Sequence, residues 1–356
     1  MDAAKLAKSD TQATRREYLF PLPRCLFRGR LNDERDLPAA WLVANVLLVT
    51  VPWAACLHLT RCSHLAGAAY MATNYALFLQ RFMLTLHVTE HRKLWKSDRG
   101  ALDLLVPYLL CPLFGVPPGL YRPHHVVMHH VEDNHGQWDI SSTEPYQRDS
   151  FLQFLGYWCR FFVGAWLELP LYAARRKRSA LSLSTLASEV LYWLLGAWLW
   201  RRNTVATLWT LVLPFLLSSF LLSFGNWSQH VFIEPSRPDS PYTSAYECLN
   251  CPDNQRTYND GYHIMHHLNS RWHWSELPQR FISQLQQHDD NDALVFHSLG
   301  FFDVGLAVFT GHLAYLAKHI VPCGPKQSAR STQQWVDVLR HRLSPVSRVG
   351  ACAKST

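Results

Sequence analysis

Charged residues are scarce in this sequence of 356 residues. Asp, Glu, Lys and Arg together make up 17% of the chain, against about 25% in an ordinary soluble domain. The deficit disfavours a disordered chain, a coiled coil and a nucleic-acid-binding protein. Apolar residues make up 48% and occur in long runs, which favours a protein that crosses a membrane several times and has a substantial polar portion outside it.

Several common motifs are also missing. There is one CxxC pair, Cys248 and Cys251, and a zinc site of that type needs a second pair. No GxGxxG or other flavin or nicotinamide fingerprint is present, so a redox reaction would need electrons from a partner. Residues 1–36 contain no apolar core near the N-terminus, so no secretory signal is expected. The scattered cysteines favour reduced thiols on a cytosolic face.

Four apolar segments reach the length of about 20 residues that a membrane helix needs. They form two hairpins, 39–60 with 65–86 and 180–200 with 205–225. Two other apolar segments are less regular. The segment 102–121 contains four prolines, which predict a broken, re-entrant or interfacial element. The segment 151–174 contains Arg160 and Glu168, and we expect it at the membrane interface.

Basic residues predict the orientation of these spans. Arg15, Arg16 and Arg28 lie before the first span, and residues 175–178 read RRKR before the third. Both regions are expected in the cytosol, so the chain after the fourth span is cytosolic too. There, 295–321 predicts an amphipathic surface helix, followed by a polar, loose tail. The predicted division is a cytosolic segment at 1–36, a membrane domain at 37–321 and a tail at 322–356.

Histidines are numerous, 19 in all, and many occur in four clusters. These read HVTEH, HHVVMHH, NWSQH and HIMHH. Positions i, i+3 and i+4 of a helix share one face, so neighbouring imidazoles of a cluster are expected to aim at one point. The sets are His87/His91, His125/His129 and His263/His266/His267. Imidazole shells suit iron, copper, zinc or nickel, and nine candidate ligands predict two metal ions.

Other histidines fall outside this pattern. His124 is the hardest to exclude, because it directly precedes His125 and could exchange roles with it. His58, His64 and His312 stand alone near the ends of apolar segments. We interpret them as hydrogen-bonded interfacial residues.

The clusters resemble the three histidine boxes of the membrane fatty acid desaturase superfamily, which includes hydroxylases and related oxygenases. Those boxes have the forms HX3-4H, HX2-3HH and (H/Q)X2-3HH, and HVTEH, HHVVMHH and HIMHH occur here in the same order. Acyl-CoA desaturases also have an Asn and a His four residues apart after the last membrane helix. Asn226 and His230 match that pair, and the resemblance covers about residues 39–321.

The resemblance implies an all-α, multi-pass membrane protein with four transmembrane helices under a helical cytosolic cap, which holds a di-iron centre and an acyl tunnel. The implied ligands are nine histidines and an asparagine that reaches one metal through water: His87, His91, His125, His129, His130, His230, His263, His266, His267 and Asn226. The implied reaction is O2-dependent desaturation of a fatty acyl or other lipid chain.

The resemblance also implies an external electron donor, either cytochrome b5 with its reductase or, in a plastid, ferredoxin. The sequence has no HPGG-type haem-binding segment, so no fused cytochrome b5 domain is expected. The implied location is the endoplasmic reticulum membrane with a cytosolic active site, or a plastid membrane. The basic segments could receive an acidic donor or anionic lipid head groups, and no nucleic-acid partner is expected.

Other interpretations stay open at this point. Hydroxylation and oxidative decarboxylation to a terminal alkene can share their first hydrogen abstraction with desaturation, so the boxes do not separate these reactions. The first box also reads HxxEH, the motif of an inverted zincin, which would indicate a membrane zinc peptidase. A metal transporter or a haem carrier would need ligands near the middle of the membrane, whereas these clusters lie at segment ends.

Residues beside the boxes are candidates for supporting roles. Metal-bound imidazoles usually donate their second N–H to a carboxylate or carbonyl group. The carboxylate candidates are Glu90, Glu132, Asp133 and Asp260. Some tryptophans could line a tunnel or anchor the chain at the membrane surface. These are Trp138, Trp227, Trp272 and Trp274.

Overall fold

The computed structural model describes residues 2–12 and 20–346. The predictions that concern Arg15, Arg16 and residues 347–356 therefore lie outside the described residues. Helices make up 67% of the structure, so the prediction of a mainly helical protein is confirmed. Strands Tyr246–Leu249 and Leu294–His297 form a short parallel pair. The domain boundaries stay a prediction.

Three helices in the described part are long and apolar enough to cross a membrane: Glu34–Leu59, Ser179–Arg202 and Thr204–Gln229. They match the first, third and fourth predicted spans, except that the first helix ends at Leu59, one residue before the predicted end. The second, 65–86, lies in a continuous helical run made of His64–Asn74, Tyr75–Leu79 and Gln80–His91. Gln80 and Arg81 interrupt the apolar character of this run.

Contacts between the helix ends show that the hairpins run side by side. Asn203, in the turn of the second hairpin, donates to the Leu57 and Thr60 carbonyls at the turn of the first, both at 3.0 Å. At the opposite end, the indole N–H of Trp274 donates to Asp36 at 2.8 Å. The two turns therefore lie on one side, and the histidine clusters lie on the other.

The remaining helical elements are mostly short. The α-helices are Ala3–Gln12, His130–Glu132, Phe151–Arg175, Pro241–Ser244, His263–Leu268, Leu277–Ser283, Leu285–Asp290, Phe301–Phe309, Leu313–Lys318, Pro325–Ser328 and Thr332–His341. Within the spans, the α-helical pieces are Leu37–Leu48, Thr50–Leu59, Thr204–Thr207 and Leu213–Gln229. The π-helical segments are Tyr75–Leu79, Leu105–Leu110, Pro123–His129 and Leu208–Val212, and the 3-10 turns are Arg24–Leu26, Glu34–Asp36, Ser97–Leu104, Cys111–Phe114 and Pro252–Gln255.

Prolines divide the segment 102–121 into short 3-10 and π-helical turns, as predicted. The segment packs against the spans, where Phe114 stacks on Phe82 with ring centroids 4.0 Å apart. Gly115 follows with φ +77°, and a Cβ at this position would overlap the carbonyl of Pro214 in the last span. Glycine is thus required both by the left-handed backbone and by the close approach.

The prediction of one amphipathic surface helix at 295–321 is wrong. The segment begins within the strand Leu294–His297 and continues with two short helices, Phe301–Phe309 and Leu313–Lys318. Several of its side chains are buried. Ser298 has φ 58° and Gly311 has φ 74°. Because left-handed backbone cannot continue a right-handed helix, the chain turns at both positions.

The described residues of the segment after 321, residues 322–346, fold against the rest of the protein, whereas the sequence predicted a loose tail. Trp335 and Leu339 are buried in a core shared with Trp227. The buried Arg148 guanidinium donates to the carbonyls of Arg342 at 2.9 Å and Ser344 at 2.5 Å. The polar composition concealed one apolar helix face and these long-range hydrogen bonds.

We expect Gly115→Ala to lower the apparent melting temperature of the detergent-solubilised protein by several degrees. Left-handed backbone with a side chain costs about 1–3 kcal/mol, and the overlap with Pro214 adds to this cost. Gly156→Ala is the matched control, because a Cβ there meets nothing within 4 Å and alanine favours the helix. Equal melting temperatures for both variants, measured by intrinsic fluorescence, would contradict this account.

Candidate metal centre

The nine predicted histidine ligands lie in two adjoining groups. The first group consists of His87, His91, His125, His130 and His266. In it, the Nε2 atom of His266 lies 3.0 Å from that of His87 and 3.0 Å from that of His130. One ring nitrogen from each of four histidines can serve as a ligand, and these four atoms all lie within 4.8 Å of one another: they belong to His87, His91, His125 and His266.

The second group consists of His129, His230, His263 and His267. The Nε2 atom of His263 lies 3.3 Å from that of His230 and 3.2 Å from that of His267. Ligand atoms of His129, His230 and His267 lie within 4.8 Å of one another. The groups adjoin each other, since the rings of His130 and His267 have centroids 5.1 Å apart. Each group could therefore hold one metal ion.

A π-helical turn distributes the second box between the groups. His125 and His129 lie in the π-helix Pro123–His129, whose turn contains one more residue than an α-helical turn. Residues five apart therefore align, and the Nε2 atoms of His125 and His130 lie 3.1 Å apart in the first group. His129 belongs to the second group instead. The prediction that His125 and His129 aim at one point is wrong for this reason.

The third box is divided as well. His263 and His267 are one α-helical turn apart and both belong to the second group. His266 lies on the side of this helix that faces the first group, so the three histidines do not aim at one point as we predicted. The first box follows the prediction, because His87 and His91 both belong to the first group.

In the second group, three of the four imidazoles have an oxygen atom within hydrogen-bonding distance of their Nδ1 atom. Asp139 Oδ2 lies 2.9 Å from His129 Nδ1, and Asp133 Oδ1 lies 2.6 Å from His267 Nδ1. The carbonyl oxygen of Ser244 lies 2.9 Å from the Nδ1 atom of His230. A proton held on Nδ1 by these acceptors leaves the Nε2 lone pair free for a metal ion.

The predicted carboxylates divide between this role and others. Asp133 contacts a candidate ligand, whereas Glu90 pairs with Arg122 at 3.3 Å. Glu132 accepts from Tyr172 and Arg176, and Asp260 accepts from Gln229 at 3.1 Å. Sequence reasoning missed Asp139, which lies ten positions after His129. The signal available in the sequence was an acidic residue in the turn-rich segment after the box.

Burial makes seven of the nine candidate ligands poor bases, which favours their neutral form. It lowers the pKa of His91 to about 3. Burial is also the main cause that lowers the pKa values of His87, His125, His130, His230, His263 and His266. Neutral imidazoles can bind a metal ion without first losing a proton. The Nε2 atom of His91 is buried and has no hydrogen-bond partner in the structure, so no other contact competes with a metal ion for its lone pair.

A buried carboxylate also holds the helix of the third box. Glu247 accepts the backbone N–H groups of Ile264 at 3.3 Å and Met265 at 3.2 Å. Burial raises the pKa of Glu247, and the nearby imidazole of His288, whose Nε2 atom lies 3.5 Å from Glu247 Oε1, opposes that shift. The contact fixes the start of the helix that carries His263, and thus the direction of the imidazoles.

The other histidines have separate contacts. His58 Nε2 lies 2.9 Å from Thr210 Oγ1, the indole of Trp209 donates to His64 at 3.2 Å, and His312 Nδ1 lies 2.8 Å from Thr310 Oγ1. These hydrogen bonds agree with our interpretation.

His124 lies beside the site, with its ring centroid 6.2 Å from that of His129. Its contacts place it outside both groups.

A cavity of about 520 Å³ adjoins the two groups, and His87, His125, His129 and His263 line it. Asn226 lines it too, and its amide donates to the Ser141 carbonyl at 3.0 Å and the Tyr157 hydroxyl at 2.8 Å. Its contact with a metal through water stays a prediction.

None of the four tryptophans named as candidates for a tunnel lining lines this cavity. Trp227 donates to the Arg148 carbonyl in the core, and the Arg175 guanidinium lies 4.0 Å from the ring centre of Trp138. Trp272 and Trp274 line a much smaller cavity beside His91 and His266. Trp166 lines the large cavity instead. Its position was not evident among 14 tryptophans.

Comparison with known protein families gives a match to the fatty acid desaturase family over residues 63–298. The matched region is more than half of the chain and contains all four histidine clusters. Comparisons with curated proteins and with solved structures returned no match.

We expect Asp139→Asn to weaken metal binding by about 10–100-fold, the usual effect of losing the carboxylate partner of a histidine ligand. Asparagine has nearly the same shape but no charge with which to hold the Nδ1 proton of His129. Cobalt(II) binding to the purified metal-free chain, followed by absorption against a competing chelator, measures the change. The exposed Asp337→Asn serves as the control, and equal affinities for both variants would contradict the assigned role.

Proposed function

Because the chain belongs to the fatty acid desaturase family, we propose that it is a di-iron, O2-dependent membrane enzyme that introduces a double bond into a fatty acyl or other lipid chain. Family membership implies an oxidoreductase of the desaturase or hydroxylase type. The observation that carries the more specific proposal is the convergence of nine imidazoles in two adjoining groups beside a large, mainly apolar cavity.

The chemistry of the donor set fits iron. Imidazole nitrogen is a common ligand of iron, and the candidate ligands lie close together in two groups. The first group would hold one ion and the second group the other, with Asn226 reaching the second through water. Iron bound there supplies the oxidising power that cleaves an unactivated C–H bond with O2. Asp133, Asp139 and the Ser244 carbonyl orient the second group, and the cavity walls exclude water from the substrate chain.

The overall reaction balances with an external electron donor. Two adjacent CH2 groups each lose one hydrogen and become a CH=CH unit. One O2 accepts these two hydrogens together with two electrons and two protons, and two water molecules form. The sequence offers no flavin or nicotinamide site, so the electrons are supplied by cytochrome b5 with its reductase, or by ferredoxin.

We place the chain in the endoplasmic reticulum membrane with four spans and the histidine groups on the cytosolic side. The helical run 64–91 contains the second span, 65–86, in this arrangement, so His87 and His91 follow the span on the cytosolic side. The paired turns at Thr60 and Asn203 support it. The basic segment 175–178 supports the orientation, because Arg176 pairs with Glu132 at 2.6 Å, beside the second histidine box.

The contacts of Glu90 argue against a zinc peptidase. An HxxEH peptidase needs this glutamate as a general base next to the metal-bound water. Here the Glu90 carboxylate pairs with Arg122 instead. His87 also shares its site with histidines of the second and third boxes, which a peptidase would leave without a role. Hydroxylation and decarboxylation remain alternatives that share the proposed centre.

We expect the detergent-purified chain, expressed with iron supplied, to contain about two iron ions, in line with two imidazole-rich groups. His266→Ala removes a nitrogen that lies 3.0 Å from two other candidate ligand atoms, so the iron content should fall clearly. His312→Ala, outside both groups, is the control and should keep its iron. Elemental analysis that finds a single zinc, retained in His266→Ala, would overturn the di-iron proposal and revive the peptidase.

We expect lipids from cells that express the chain to contain a new double bond, and lipids from cells with His266→Ala to lack it. Mass spectrometry of the extracts distinguishes the reactions, since desaturation lowers the mass by two hydrogens and hydroxylation adds one oxygen. A new hydroxyl group or a terminal alkene would transfer the assignment to the alternatives. Unchanged lipids from cells whose chain carries two iron ions would reject lipid oxidation altogether.

A further inference from the structure

The large cavity continues from the histidine groups down between two membrane helices. Tyr75 and Phe215 both line it. Tyr75 lies twelve positions before His87, and Phe215 lies eleven before Asn226. At 1.5 Å per residue, these separations correspond to about 16–18 Å of depth. The Tyr75 hydroxyl donates to the Pro214 carbonyl at 3.0 Å and so joins the two helices at that depth. The resemblance implied a tunnel in the cap, whereas this cavity lies along the spans.

The opposite end of the cavity is polar and carries carboxylates. Gln229, Asp253, Thr257 and Asp260 line it there. Among the described residues that line the cavity, none is a lysine or an arginine. Asp260 also lines the small cavity that touches His91 and His266. The acidic end therefore lies next to the first histidine group.

One edge of the cavity opens at an apolar surface. Phe302 lines the cavity and is also 43% exposed. Its ring packs against Phe224 near the end of the last span, with centroids 5.1 Å apart. One helical turn further, Leu306 is 56% exposed. Exposed apolar side chains at the end of a span suit the membrane surface, so this opening gives access from the bilayer.

We propose that the substrate is a membrane lipid with an uncharged or cationic head group, which lies beside Asp260 while the tail lies between the spans. This inference rests on the proposed function. A carboxylate or a CoA phosphate at this end would meet the carboxyl groups of Asp253 and Asp260, and none of the described lining residues is a lysine or an arginine that could pair with it. Burying an anion without a paired cation costs free energy. A hydroxyl, amide or amine finds hydrogen-bond acceptors there.

The position of the head also determines which carbons react. Because the acidic end adjoins the first histidine group, the carbons next to the head group lie beside that group. The remaining tail fills the depth down to Tyr75. The oxidised carbons are thus the first few of the chain, and the middle of the tail lies below the site.

Binding and turnover of four lipids of equal chain length test this proposal. The probes are a long-chain amino alcohol, a long-chain alcohol, a free fatty acid and its CoA thioester. We expect the first two to raise the melting temperature of the full-length, metal-free chain. In membranes that contain the iron-loaded chain and cytochrome b5 with its reductase, they should be oxidised at least about tenfold faster, within the first few carbons. Preferred binding or oxidation of the thioester, or oxidation in the middle of the chain, would overturn the proposal.

The two readouts separate this proposal from the proposed function. Preferred binding of the amino alcohol and the alcohol without oxidation of any lipid would reject the desaturase while supporting the assigned head group. Oxidation of the fatty acid or its thioester alone would support the oxygenase and reject the head group.

Matched variants test the two ends of the cavity. Asp260→Asn should reduce the preference for the amino alcohol over the alcohol about tenfold at unchanged iron content, and the exposed Asp290→Asn should not. Leu79→Trp, in the cavity wall, should shift the preference to shorter chains, whereas Ala76→Trp, exposed on the same helix, should leave it unchanged. Unchanged preferences in both Asp260→Asn and Leu79→Trp would reject this placement of head and tail.

Discussion

The close packing of nine imidazoles is the constraint on which the rest of the structure depends. Nitrogen atoms about 3 Å apart, such as those of His87 and His266, avoid repulsion only if protons are placed between them or a metal ion shares their lone pairs. Protonation is opposed by burial, which lowers the pKa of these groups. Acceptors such as Asp133 and Asp139 keep the Nδ1 protons on the outer side of the second group, so the inner nitrogens stay available.

This packing explains why the helices around the site are irregular. A regular α-helix would place His125 and His130 on different sides, whereas the π-helical turn brings their Nε2 atoms to 3.1 Å. The short helix of the third box is fixed at its start by Glu247. The C-terminal segment closes the fold from outside, because the buried Arg148 binds its carbonyl groups. Local helix distortion and distant hydrogen bonds thus serve the same arrangement.

The cavity connects the candidate metal centre to the membrane. Helices that carry candidate ligands also line the cavity. The number of helical residues between Tyr75 and His87 therefore sets the distance from the deep end of the cavity to the metal site. In the proposed arrangement, a lipid in this cavity would reach the site without leaving the bilayer. The carboxyl groups of Asp253 and Asp260 at the polar end of the cavity are the basis for the proposed uncharged or cationic head group.

The sequence by itself determined the nine histidines, the apolar helices at 39–60, 180–200 and 205–225, and the family, because these depend on local spacing and on runs of apolar residues. Tertiary structure decided how the histidines divide between two groups, since a π-helical turn and the approach of separate helices do not appear in an α-helical pattern. It also decided the roles of Asp139 and Arg148, the turns within 295–321 and the position of the cavity. These features depend on contacts between residues far apart in the chain, which local periodicity does not encode.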